Sequence, residues 1–504
     1  MSSMGGGTFA LPMEVTPRHW VGVAAVTAVS CLFALGLRYT PDSLHYLAVA
    51  RGLLSGAGLS GTLLAVDLPI PRPLDLWPPL YPLALAAGLG AGLGPDATAM
   101  LVNVLSMALL SGALFSLAPA GQGARYTWSC AALIILYRPF GHVVTYAWSE
   151  PLCIALLALA LALEVRSGTA RSGKWLSFWT GVALGAAVLT RYAAAFALPA
   201  LGVERLLRMR EDPGARRHHL MELLALGAGW LLLVAPWLAR NLSLFGGLLG
   251  TPHAPRSEGF IDSLLSGVST LLGDASFGAF GLLCVTSVPW LSGRAPPKSL
   301  QGLRPAALLS VSYFLCLFWT ATRTHMDALD NRLLAPMGVG LIPLIAAVLV
   351  EILQRTEIWR APSLAVTGLI LIAGHLWSPV RERLNHPRRG LASLRKMITP
   401  VPDWVETHVT ERDLLLGPQL WFVHPFSPAP VVAHGYPERG LMTLASLGPF
   451  LKQHRHAYER FFWLDVKPPP VSSEEFEVVE VERLATNPYW STVWNTVWRI
   501  RLRE

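Results

Sequence analysis

Hydrophobic runs, most of them near the length of about 17 to 25 residues that crosses a hydrocarbon core, recur along this chain with polar or basic breaks between them. They fall at residues 20–37, 97–117, 126–137, 149–165, 175–189, 192–207, 220–238, 277–291, 305–320, 333–353 and 361–377. The pattern predicts a polytopic α-helical membrane protein of about 11 transmembrane helices. The run at 80–93 is Gly-rich and bracketed by Pro78-Pro79 and Gly94-Pro95, which predicts a helix on the membrane surface. Should it cross instead, the equally short 126–137 run becomes the interfacial piece. A long loop at 38–77 follows the first run, and Leu44, Leu47, Ala48, Leu53 and Leu54 give it one apolar face of a short interfacial helix, ended by Ser55-Gly56-Ala57-Gly58.

Beyond residue 378 the pattern changes. Helix-like stretches at 391–398 and 441–453 alternate with strand-like runs at 414–416, 431–433, 461–464, 476–481 and 493–502. The expected organisation is a membrane domain at 1–378 and a small soluble α/β domain at 379–504. That domain has neither a G-x-G-x-x-G nor a P-loop, so it is not read as a nucleotide-binding module.

Composition supports the class: of 504 residues, 53% are hydrophobic and 14% charged, with a mean hydropathy of +0.45. The net charge of +8 comes largely from short loops such as 166–174, 205–217, 294–304 and 355–360, which lie on one side of the predicted spans. Topology explains them, that side is the expected cytoplasm, and no nucleic-acid partner is implied. The 38–77 loop, residue 150 and the C-terminal domain then face outward. The apolar run after Arg18 is read as a retained first helix, because it is long and lacks a small-residue cleavage site. Cys31, Cys130, Cys153, Cys284 and Cys316 lie in or beside apolar runs without paired spacing, so they are expected to pack rather than bridge or bind metal.

Candidate chemistry sits at the ends of the runs. Asp42, in Arg38-Tyr39-Thr40-Pro41-Asp42-Ser43-Leu44-His45-Tyr46-Leu47, stands just beyond the first; Glu150, in Thr145-Tyr146-Ala147-Trp148-Ser149-Glu150-Pro151, opens a later one. Each has an architectural reading, since Pro41-Asp42-Ser43 resembles a helix N-cap and an acid in a first turn complements the helix dipole. The chemical reading is a carboxylate that takes the proton of an attacking hydroxyl or amine. Arg191, Arg240 and Arg332 interrupt apolar runs on the outer side, either as interfacial anchors or as a phosphate clamp. His45, Tyr46, Trp77, Tyr81, Tyr146 and Tyr192 are candidates to line a sugar or lipid groove, although Trp77-Pro78-Pro79-Leu80-Tyr81-Pro82 reads equally as a rigid interfacial turn. His45, His253 and His325 form no ligand-spaced pair, so no metal site is predicted from them. Asn241-Leu242-Ser243 matches a glycosylation acceptor pattern.

Taken in order, Pro41-Asp42-Ser43 with Tyr46 and Gly56-Ala57-Gly58, Trp77 to Pro82, Tyr146 to Pro151, Leu189-Thr190-Arg191-Tyr192 and Asn331-Arg332-Leu333-Leu334-Ala335-Pro336 resemble the GT-C superfamily of integral membrane glycosyltransferases. The likeness is to the branch containing protein O-mannosyltransferases and lipid A aminoarabinose transferases. It implies a sugar donor on a polyprenyl phosphate, with Asp42 at the position of the catalytic acid in the first outer loop. Glu150 takes the position of a second acid, where the aminoarabinose transferase has Asp. Arg191, Arg240 and Arg332 become candidates to hold the donor phosphate. Some members use a divalent metal and others do not; this loop has no adjacent acidic pair, which leaves a metal cofactor open. The implied setting is a bacterial inner membrane, surrounded by membrane lipids, with the site and the C-terminal domain outside and a lipid, glycan or protein as acceptor. A lipid or small-molecule transporter and a non-catalytic envelope scaffold are the alternatives, but the chain lacks the internal repeats and mid-span acids that a transporter predicts.

Overall fold

The computed structural model describes residues 17–61, 63–64, 72–119, 122–168, 173–250, 300–321, 331–356, 390–418, 420–434, 447–465, 468–469, 471, 474–484 and 496–503. The predicted spans at 277–291 and 361–377, together with Cys284, His253 and His325, lie outside these. Helix α1 (Pro17–Ala34) leads into α2 (Pro41–Leu54), whose start is fixed by a capping box. The Ser43 amide donates to Thr40 Oγ1 at 3.4 Å, the Thr40 amide donates to Ser43 Oγ at 3.1 Å, and Pro41 supplies a helical φ at the first position. The cap is therefore Thr40, which corrects the expectation that Asp42 itself ends the helix. With the orphan amide satisfied by Thr40, the Asp42 carboxylate is released for other partners.

The membrane region continues with α3 (Leu80–Gly90), α4 (Pro95–Phe115), α5 (Gly123–Leu136), α6 (Arg138–Val144), α7 (Glu150–Ser167), α8 (Gly173–Val188), α9 (Ala197–Glu211), α10 (Arg216–Phe245), α11 (Arg304–Ala321), α12 (Asn331–Leu334) and α13 (Gly338–Thr356). Among the described residues, Pro95–Phe115, Pro213–Phe245 and Arg332–Glu351 are long and apolar enough to cross a membrane. Helix α3 rises only about 16 Å, too little to span, and its Tyr81, Leu85 and Ala86 pack on α2. Helices α8 and α10 approach closely because a β-carbon on Gly181 would lie 2.0 Å from the Leu226 carbonyl oxygen, and one on Gly229 would lie 2.1 Å from that of Phe178.

The 205–217 segment departs from the expectation of a solvated basic loop. Helix α9 runs through it to Glu211, and the Arg205 guanidinium, fully buried, pairs with Glu164 at 2.7 Å and Glu222 at 2.6 Å. Its further donors reach Ser167 Oγ at 2.6 Å and Ser177 Oγ at 2.9 Å. A buried charge requires such partners, and they come from three other helices that a linear reading treats separately.

The C-terminal region folds as α14 (Leu391–Ile398), α15 (Val401–His408), α16 (Leu447–His454) and a six-stranded sheet. Strand β4 (Asp413–Pro418) carries three consecutive buried leucines; Leu415 joins one core layer while Leu414 and Leu416 join the other, as expected for a strand covered on both faces. Beside it lie β5 (Val431–His434) and β6 (Arg460–Leu464), both parallel, then antiparallel β8 (Thr496–Leu502) and the exposed edge β7 (Phe476–Arg483). The sixth strand is not from this region. Strand β2 (Leu63–Leu64), from the 38–77 loop, pairs in parallel with β5, next to a short ladder of β1 (Ser60–Gly61) and β3 (Arg72–Pro73).

Candidate active site

Two chain segments distant in sequence are first fastened side by side. Arg38 forms a parallel bridge with Tyr146: the Arg38 amide donates to the Thr145 carbonyl at 2.8 Å, and the Ala147 amide to the Arg38 carbonyl at 3.0 Å. From α4, the fully buried Asn103 amide nitrogen donates to the carbonyls of Val144 at 3.0 Å and Tyr146 at 2.8 Å. These bonds set the starts of α2 and α7 next to each other, and hence Asp42 beside Glu150.

Arg332 joins the two acids. It reaches them from a short irregular stretch, α12 followed by a 3₁₀ turn at Ala335–Met337, whose exposed carbonyls need partners inside an apolar fold. Side chains supply them: Tyr313 donates to the Leu333 carbonyl, Tyr137 to that of Leu334 and Ser310 to that of Met337, each at 3.0 Å. So held, Arg332 donates from Nη2 to Asp42 Oδ2 at 2.5 Å and from Nε to Glu150 Oε1. Arg191, in extended backbone at the break between α8 and α9, donates to the same Glu150 oxygen. Asp42, Arg332, Glu150 and Arg191 thus form one connected quartet of two acids and two bases, with Glu150 buried and the other three half-buried.

Aromatic residues wall this quartet. The Arg332 guanidinium lies 4.4 Å from the Trp148 ring centre; Trp148 stacks on Tyr146 at 4.0 Å and donates to Thr40 Oγ1 at 2.7 Å. Tyr46, fully buried, shares a hydrogen bond with Ser149 Oγ at 3.3 Å and meets Tyr81 and Trp77 edge-on at 5.1 and 6.0 Å.

Arg240 is not brought to the quartet. It donates to the Leu74 carbonyl at 2.8 Å and Asn241 Oδ1 at 3.1 Å, and lies 4.5 Å from the Trp237 ring centre. Among the described residues it has no ion pair to a carboxylate, unlike Arg191 and Arg332. Tyr192 belongs here as well, its hydroxyl accepting from Trp237 Nε1 at 2.8 Å and Asn241 Nδ2 at 3.0 Å. Trp77 touches both groups, packing with Tyr46 and with the Val49, Leu74 and Trp237 cluster. The Asn241 amide is buried and its donors are taken, which overturns its reading as a glycosylation acceptor. His45 points elsewhere again: with Arg51 it stands beside His424 of the C-terminal region, and burial first, then the Arg51 charge and the His45 ring, push the His424 imidazole down to about 3.

Thr40, Asn103 and Trp148 are the functional neighbours absent from the sequence-derived set. Trp148 had a signal, an aromatic residue two positions from an acid; Asn103, midway along an apolar run, carried only its polarity. Among the described residues no group of three or more His, Cys, Asp or Glu side chains is arranged to hold a metal ion, and the two acids converge on a guanidinium.

No protein-family model matches the chain, and no curated protein does. Solved structures match it in fold. ArnT from Cupriavidus metallidurans bound to undecaprenyl phosphate is 15% identical with a TM-score of 0.61, the match covering 96% of this chain and 98% of that one. The same protein in its apo state is 17% identical at a TM-score of 0.62, covering 95% and 97%. The Archaeoglobus fulgidus oligosaccharyltransferase tethered to an acceptor peptide is 10% identical at 0.50, covering 89% of this chain and 69% of that one. These are GT-C membrane proteins, and the likeness shows that this chain has the GT-C fold.

Proposed function

We propose that the chain is a membrane glycosyltransferase that moves a sugar from a polyprenyl-phosphate donor to a lipid, glycan or protein acceptor at the outer face of a bacterial inner membrane. The observation that carries this reading is the joining of Asp42 and Glu150 by Arg332. Two acids from segments over a hundred residues apart, bound to one guanidinium and walled by aromatics, suit a polar sugar on an anionic leaving group. The solved relative that binds undecaprenyl phosphate shares the fold over nearly its full length, which supports that lipid class as partner.

In the proposed step, an acceptor oxygen or nitrogen attacks the anomeric carbon opposite the phosphate. The carbon–oxygen bond to phosphate breaks with its electron pair leaving on the phosphate, the acceptor's proton passes to Asp42, and the configuration inverts. Arg332 holds Asp42 through Oδ2, and we assign Oδ1 to the incoming proton. Glu150 orients Arg332 and Arg191, while Arg191, Arg332 and Arg240 are the groups available to the donor phosphate. Arg240, whose hydrogen bonds go to the Leu74 carbonyl and Asn241 Oδ1 rather than to a carboxylate, keeps donors for it, with Asp75 as the nearby acid. Tyr46, Trp77, Tyr81, Tyr146 and Tyr192 shape the groove.

The test is Asp42→Asn. It leaves the Thr40–Ser43 cap intact and keeps side-chain volume, so the protein should fold and bind donor. Turnover of a polyprenyl-phosphate sugar by purified protein in lipid, with a membrane extract supplying acceptor, should fall by about a hundredfold or more. Near-normal turnover would remove the mechanism.

A further inference from the structure

We infer that the C-terminal domain is a working part of the catalytic apparatus, holding the Asp42 helix in place through a clamp centred on Asp96; the inference rests on reading Asp42 as the reacting carboxylate. Helix α2 is packed on two sides. Tyr46 and Ala50 face the membrane helices through Tyr81, Leu85 and Ala99. Leu44 and Ala48 instead enter a core built by Leu394, Val401, Trp404 and Leu415 of the C-terminal domain. The end of the helix is tied to the same domain, Arg51 donating to the Pro425 carbonyl at 3.1 Å, and the strand that follows, β2, completes that domain's sheet.

Asp96, in the first turn of α4, connects the pieces. Its Oδ1 accepts from the Tyr39 hydroxyl at 2.7 Å, and its two oxygens accept from the Leu391 amide at 3.2 and 3.3 Å. Tyr39 stands three residues before Asp42, and Leu391 is the first residue of α14. One carboxylate on a membrane helix therefore caps the first helix of the C-terminal domain and fixes the entry to the catalytic helix. Gly390 makes this approach possible: its φ is +92°, and a β-carbon there would lie 2.3 Å from Asp96 Oδ2. Burial, followed by the charge of Asp96, raises the Tyr39 phenol well above its ordinary range, so it remains a donor to the carboxylate. The domain thus acts by position, and Asp96 is a positioning residue.

Three variants of the full-length protein in lipid test this: Asp96→Ala, Asp96→Asn and Tyr39→Phe. Misplacing a reacting group by about 1 Å costs on the order of a hundredfold, so Asp96→Ala should lower kcat by about ten- to a hundredfold while donor KM stays within about twofold. Amide exchange across 41–54 should speed up in parallel. Asp96→Asn keeps an acceptor oxygen and should recover most of kcat. Arg412→Ala, at an exposed pair with Glu459, should change neither readout. Unaltered kcat and exchange in Asp96→Ala overturn the clamp, as does a loss confined to donor KM. Should Asp96→Ala fail to fold, Tyr39→Phe, which keeps the ring and removes only the hydroxyl, decides by the same two readouts. An active Asp42→Asn would sink the reading of Asp42 alone, since exchange across 41–54 still reports on the clamp.

Discussion

Helix α7 carries an acid near each end, about 21 Å apart, and the two ends differ in what surrounds that acid. At Glu164, Arg205 is 0% exposed and its donors are divided among Glu164, Glu222, Ser167 and Ser177, all buried. At Glu150 the arginines remain 11% and 16% exposed, and the partner acid Asp42 is 21% exposed. Both ends neutralise charge with arginine. Arginine exposure does not separate the ends, since Arg208, which also pairs with Glu164, is 14% exposed. The acids do: Glu164, Glu222 and the Arg208 partner Glu204 are all buried, whereas Asp42 leaves a carboxylate face open to an incoming group where irregular backbone, extended Arg191 and the bridged 38–77 loop meet. A closed network serves the architecture, whereas an open one is available for chemistry.

The largest effect that separates the two ends is on stability. Arg205→Ala strands buried carboxylates and should cost about 3–5 kcal/mol, read as a lowered unfolding transition in detergent. Replacing the set together, with Arg205→Met, Glu164→Leu and Glu222→Leu, should recover most of it, because a buried ion network is dispensable once no charge is left alone. Wild-type stability in Arg205→Ala would erase the distinction between the ends.

At the open end the effect moves from stability to substrate. Of Arg191→Ala, Arg240→Ala and Arg332→Ala, at least one should raise donor KM more than about tenfold, the scale of one lost charge-assisted phosphate contact. Three variants with unchanged donor kinetics would return these arginines to an anchoring role. The smallest effect is expected at the rim of the closed network, where Arg304 pairs with Glu204, the acid beside Arg208 and Glu164, and also with Glu211, 58% exposed. Glu211→Ala should shift stability by less than about 1 kcal/mol, and a larger loss would mean that the network extends further than its buried part.

What was legible in the sequence follows from which contacts are local. The apolar runs, the α14 segment and the triple leucine of β4 are set by periodicity within a few residues, and the structure forms elements at each of those that fall on the described residues. Asp42 and Glu150 stood out because acids at the ends of apolar runs are conspicuous. Their union through Arg332, the separation of Arg240, the burial of Arg205 and the clamp at Asp96 all depend on residues brought together from far apart. No spacing rule reports that. The Thr40 cap is local, but its reciprocal bond comes from Ser43 in place of the usual Glu or Gln, and the acid two residues later is the more conspicuous residue.

Strand β2 bears on how the protein is made. Residues 63–64 wait for their neighbour at 431–432, so this strand of the loop, unlike the local 60–61 and 72–73 ladder, stays unpaired through most of synthesis, some tens of seconds at ribosomal speed. A chain cut short before that neighbour would emerge with its membrane helices and all four charged residues, yet without the sheet that completes the loop. Assembly of the Asp42 end is in this way tied to synthesis of the C-terminal region.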